Sequence, residues 1–131
     1  MTTENLPNSG ISDPPDDVPG ATWLTVDGRP VFGVWRMPRV ADKPVLVFLH
    51  DGLGSVGTMR NFPEQVGTAM GLPAFVFDRL GYGRSDREET FPGDFMGAAA
   101  DHLERVLDVA GIDDCCLVGH SDGGTIALLH R

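Results

Sequence analysis

The 131-residue sequence predicts an α/β domain: a mostly parallel sheet that opens with an antiparallel hairpin and carries helices in its crossovers. Three observations lead there. The runs Val45 to Leu49, Ala74 to Phe77 and Cys115 to Val118 are apolar without alternation, as strands covered on both faces must be. Stretches with helical spacing separate them, which implies right-handed crossovers and a sheet covered by helices. A glycine-rich polar loop follows each run, "HDGLGSVG", "DRLGYGRSD" and "GHSDGG", and in such sheets function collects at the carboxyl ends of the strands.

The elements follow in chain order. Residues 1–20, "MTTENLPNSGISDPPDDVPG", hold four prolines and the acids Glu4, Asp13, Asp16 and Asp17, with no Lys or Arg. So few large apolar groups cannot offset the entropy of ordering the chain, so a disordered leader is expected over 1–20 and a folded portion over 21–131. "TWLTV-DG-RPVFGVWRM" reads as two strands around an Asp27-Gly28 turn. Asn61 to Met70 supplies the helix between the first two buried runs. Asp94 to Ala110 supplies the next, with Phe95, Ala99, Leu103, Val106, Leu107 and Ala110 along one face.

Composition narrows the function. A net charge of -9 argues against nucleic acid and anionic membrane as partners, since both need a basic surface. No basic start and apolar stretch mark a secretory signal, and no run approaches the length of a membrane span, so a cytoplasmic location is expected. Cys115 and Cys116 are adjacent, which suits small strand residues better than a disulfide, a redox motif or a zinc site. His50, Asp51, His120 and Asp122 lack the spacings of a metal site, and none is expected.

Gly52, Gly54 and Gly57 stand in G-x-G-x-x-G spacing after a strand, and Asp78 follows at about the ~20-residue interval of a ribose-binding carboxylate. A dinucleotide loop, however, runs straight from its last glycine into a helix, and Pro63 would break a helix begun at Gly57. The loop "GHSDGG" is more informative. Gly119-His120-Ser121-Asp122-Gly123 is G-x-S-x-G between an apolar strand and a new helix, the setting of a nucleophile elbow. A turn that sharp strains the central residue and needs small neighbours two positions away on each side, which Gly119 and Gly123 supply around Ser121. Were Asp122 the nucleophile, the bulky His120 would occupy one of those positions. The competing role for Ser121 is a helix cap.

With "LHDGLGS", "DRLGYGRSD" and "LVGHSDGG" in that order, the chain from Trp23 onward resembles the α/β-hydrolase superfamily. It is most similar to bacterial hydrolases with H-E-G-L-G-S at the first motif, Asp51 standing where Glu is usual. The resemblance implies a cofactor-independent serine hydrolase acting on a small-molecule ester or related acyl bond, with Ser121 as nucleophile. The backbone amides of Asp122 and of Gly52 or Leu53 would form the oxyanion hole, the helix start at Asp122 adding its dipole. His50 would brace the loop by hydrogen bonding, and Asp78 and Arg79 would pair locally to hold the segment through Ser85 and Asp86. His102, beside Asp101 and Glu104, reads as a solvated flank, and His130 as a helix residue pointing away from the strand ends.

In that superfamily an acid and then a histidine follow the nucleophile, and Asp122 to Arg131 offers no candidate for either. The expectation is the amino-terminal portion of a hydrolase, cut after the elbow, whose last strand leaves an apolar edge open to self-association. A non-catalytic remnant or interaction module is the alternative function, and a nucleotide-binding domain a more distant one.

Overall fold

The computed structural model describes residues 11–12, 17–88, 90–91 and 93–130. Six strands form one sheet: β1 (Ile11–Ser12), β2 (Ala21–Val26), β3 (Arg29–Met37), β4 (Val45–Leu49), β5 (Ala74–Phe77) and β6 (Cys115–Gly119), in spatial order β1-β2-β3-β5-β4-β6. The pairs β1·β2, β2·β3 and β3·β5 are antiparallel, and β5·β4 and β4·β6 are parallel. The expected hairpin is present. Asp27 and Gly28 both take left-handed φ, 53° and 77°, the turn whose twist matches that of the flanking strands.

Part of the opening segment departs from the expected disorder. Ile11 and Ser12 pair with Leu24 and Trp23 on the open edge of β2, where unpaired backbone groups invite a further strand. Asp17 forms an ion pair with Arg84 at 2.9 Å. Residues 1–10 and 13–16 lie outside the described residues.

The buried runs divide cleanly between two layers because strand side chains alternate faces. Val45, Val47 and Leu49 of β4 join Phe75 and Phe77 of β5 in one layer, against Leu103, Val106 and Leu107 of α2 (Phe95–Ala110) and Ile126 of α3 (Asp122–Leu129). Leu46 and Phe48 join Ala74, Val76, Phe32 and Val34 in the other, against Val66 of α1 (Phe62–Met70). Each such large side chain removed from water contributes about 1.5–3 kcal/mol, which is why both faces of these strands read as apolar.

Helix ends follow local rules. Pro63 lies in the first turn of α1, where its missing N–H costs nothing. The Asp94 carboxylate accepts from the Gly97 amide at 3.2 Å to start α2. Gly71 and Gly111, at φ 67° and 73°, end α1 and α2 in the left-handed conformation. Since β4, β5 and β6 are parallel, their three following loops meet at one end of the sheet. Beyond β6 the sheet edge carries no further strand among the described residues, and Leu128 and Leu129 of α3 are exposed.

Candidate active site

Ser121 sits between β6 and α3 with φ 57° and ψ -117°, a sparsely populated conformation that costs about 1–3 kcal/mol. Its neighbours impose that conformation. The His120 amide donates to the Leu49 carbonyl at 3.2 Å, the Gly123 amide turns back to the His120 carbonyl at 2.9 Å, and the Thr125 amide donates to the Ser121 carbonyl at 3.1 Å. A Cβ on Gly119 would collide with the Gly123 carbonyl, and one on Gly123 with the carbonyls of Leu49 and His50. Both glycines are therefore steric requirements of the turn. Ser121 is exposed and its side chain does not cap α3, so the competing role as a helix cap is not the one it plays.

The loop after β4 comes directly against this elbow. A Cβ on Gly52 would displace the Asp122 carboxylate, so the two loops are in direct contact there. Leu53 beside it is 96% exposed. The Gly54 amide donates to the Asp51 carbonyl at 3.1 Å, whereas no acceptor among the described residues takes the amides of Gly52, Leu53 or Asp122. Asp122 is the first residue of α3, so its amide also sits at the positive end of the helix dipole. A cavity of about 550 Å³ opens beside the elbow, lined by Asp51, Leu53, Phe62 and His120 among others. His120 Nδ1 stands 3.9 Å from the Asp51 carboxylate.

Beneath the loops lies a buried polar layer. His50 is 1% exposed. Its Nδ1 donates to the Asp51 carbonyl at 2.7 Å and its Nε2 accepts from the Arg79 amide at 3.1 Å. These partners use both ring nitrogens, and burial lowers the pKa of the imidazole from the usual value, against the opposing effect of the Asp51 carbonyl. The Tyr82 ring packs edge-on to His50, 4.9 Å between centroids. His50 thus binds the loop after β4 to the loop after β5.

Asp78 and Arg79 do not pair with each other as expected. Neighbours at a strand end point to opposite faces, so each reaches a different partner. The Asp78 carboxylate accepts from the amides of Val56 at 2.6 Å and Arg84 at 2.9 Å, while its carbonyl accepts from Ser85 Oγ at 2.6 Å. Arg79 Nη2 donates to the Asp51 carbonyl at 3.1 Å, and its guanidinium lies 4.8 Å over the Tyr82 ring. Asp78 therefore clasps the glycine loop itself. The dinucleotide geometry is absent too, because a 3-10 turn, Gly57–Met59, follows Gly57 and α1 begins only at Phe62.

Two histidines differ from expectation. His102 is not a solvated flank: it is 7% exposed, covered by groups from other elements that its helical neighbours could not reveal. Burial, with help from Arg105 and Arg29 against Asp27 and Glu88, lowers its pKa to about 4. His130 ends α3 as its C-cap in extended conformation, not inside the helix, with Nδ1 buried and without a partner among the described residues. Tyr82 was not singled out in the sequence, although its place in the G-Y-G of the loop after β5 was the available signal. Among the described residues no three His, Cys, Asp or Glu side chains cluster as metal ligands, and no helix is long and apolar enough to cross a membrane.

Comparison with known proteins agrees with this layout. The chain is 30% identical over 110 residues to a proline iminopeptidase of Lactobacillus delbrueckii subsp. lactis, covering 76% of this chain and 36% of that protein. It is 30% identical over 87 residues to the sn-1-specific diacylglycerol lipase ABHD11 of Danio rerio, covering 66% and 26%. It therefore spans between about a quarter and just over a third of the length of these relatives. Its backbone superposes on epoxide hydrolase VrEH1 from Vigna radiata with a TM-score of 0.69 at 19% identity, covering 92% of this chain and 35% of that one. The alpha/beta hydrolase fold pattern matches residues 44–129, which take in all three strand-end loops. The chain belongs to the α/β-hydrolase family.

Proposed function

We propose that this chain supplies the nucleophile and the oxyanion side of a serine hydrolase, cleaving a carboxylic ester or related acyl bond of a small molecule without a cofactor. The strained, exposed Ser121 carries this reading. A residue held at φ 57° between two sterically required glycines is strain that a helix cap would not need. Ser121 Oγ attacks the acyl carbon, and the carbonyl oxygen takes up negative charge. The amides of Asp122 and of Gly52 or Leu53 stabilise it, because fixed donors aimed at a developing oxyanion gain most in the transition state. His50, committed at both nitrogens, holds these loops and transfers no proton.

The general base and its orienting acid are proposed to lie in sequence beyond these residues, a reading supported by the chain's 36% coverage of its iminopeptidase relative. By itself the chain is then nearly inactive, since losing the base of such a triad costs on the order of a million-fold in turnover. A longer chain that contains this segment should be labelled by a fluorophosphonate probe, and its Ser121→Ala variant should not. Labelling that persists in Ser121→Ala would overturn the assignment. The open edge of β6 and the exposed Leu128 and Leu129 favour one second reading, a non-catalytic module that associates through this edge.

A further inference from the structure

Away from the elbow, on the side of β5 opposite β4 and β6, a cavity of about 250 Å³ lies between the Asp27-Gly28 turn, the segment after β5 and the first turns of α2. It shares no lining residue with the cavity beside Ser121. Its walls are apolar at Leu80, Phe91, Phe95 and Ala98.

The charged groups around it are unequally satisfied. Arg29 is held by Asp86 at 2.8 Å and Glu88 at 3.3 Å, and Arg105 by Asp27. Those pairs cancel. Arg79 also lines the cavity and is 5% exposed; it donates to the Asp51 carbonyl and lies over the Tyr82 ring, and among the described residues no carboxylate touches it, the charges of Asp122 and Asp51 acting on it only from a distance. Its Nε is buried without a partner among the described residues. His102, in the same wall and 7% exposed, likewise has a buried Nε2 that no group among the described residues takes up. Buried donors without partners are rare in folded proteins and call for an explanation.

We propose that this cavity binds a small carboxylate with an apolar body, its head group meeting Arg79 and His102 and its tail lying against Leu80, Phe91, Phe95 and Ala98. The carboxylate accepts from the buried Arg79 Nε, and a neutral His102 with its proton on Nε2 donates a further hydrogen bond. The volume equals the share of about eight waters at ~30 Å³ each, which suits an acid the size of octanoate. Because Arg79 Nη2 also donates to the Asp51 carbonyl, the occupied cavity would adjoin the loop that faces Ser121 without belonging to its substrate pocket.

The test is calorimetric titration of octanoate into the 131-residue chain, with octan-1-ol as the uncharged control. Ala98→Phe, an exposed position on α2, fills the cavity, and His102→Leu removes the unused nitrogen. Expected are saturable binding of octanoate, at least about tenfold weaker binding of octan-1-ol, and a loss of about tenfold or more in each variant. Ser121→Ala should bind octanoate as the unsubstituted chain does. Absence of saturable octanoate binding, equal binding of the alcohol, or undiminished binding in Ala98→Phe would each overturn the proposal. So would loss of binding in Ser121→Ala, which would place the acid at the elbow.

Discussion

The fold buries a histidine in each of two regions, and the two are treated differently. Beneath the strand-end loops, His50 uses both ring nitrogens, tying the Asp51 carbonyl to the Arg79 amide. Under the Asp27-Gly28 turn, His102 is nearly as buried, yet its Nε2 has no partner among the described residues. The first arrangement is complete and serves the fold by fixing two loops to each other. The second leaves a polar group unsatisfied beside a cavity. Burial alone does not separate a bracing residue from a binding one; the hydrogen-bond ledger does.

The contrast can be broken most severely at the elbow that the His50 layer supports. Gly123→Ala places a methyl group against the Leu49 and His50 carbonyls, and neither backbone can withdraw without parting β4 from β6. Loss of about 3 kcal/mol or more is expected in urea unfolding; a midpoint close to that of the unsubstituted chain would refute the steric account.

The histidines themselves give the next largest effect. His50→Leu leaves the Asp51 carbonyl and the Arg79 amide without their partner in a buried site, which should cost about 2–6 kcal/mol at ~1–3 per group. His102→Leu removes a nitrogen that has no partner and should change stability by no more than about 1 kcal/mol in either direction. Equal losses for the two variants would mean that His102 is as fully bonded as His50.

A smaller, pH-dependent difference sharpens the same point. The folded pKa of His102, about 4, lies below its unfolded value of about 6.5. The unfolded chain therefore binds more protons between these values. Stability from this group is fully present above about pH 6.5 and is lost as pH falls toward 4, by about 3 kcal/mol at most. Arg105, Arg29, Asp27 and Glu88 are the charges facing it. His50 contributes with the same sign, since its pKa is also lowered. His102→Leu should flatten the decline between pH 6.5 and 4 without abolishing it, a difference that urea midpoints across that window would reveal.

Much of the fold and the elbow could be read in advance because their causes are local. Val45–Leu49 and Ala74–Phe77 occur as strands with the expected bounds, since a run apolar on both faces has few other places to go. Gly119 and Gly123 mark the elbow because the clash they avoid arises within five residues. The Asp78–Arg79 pair failed for an equally simple reason: adjacent residues at a strand end diverge, and the amide that Asp78 needs belongs to Val56, at the far end of another loop.

Within the hydrophobic pattern and the glycine spacing lay the layer order, the crossovers and the place of Ser121, all of which depend on neighbours along the chain. Folding had to bring distant segments together before His102 could be covered, before Ile11 and Ser12 could join the sheet edge, and before Arg79 could reach the Asp51 carbonyl. A side chain's burial, and whether its nitrogen finds an acceptor, depend on groups whose sequence distance carries no signal, and so those properties emerge only when the chain has closed.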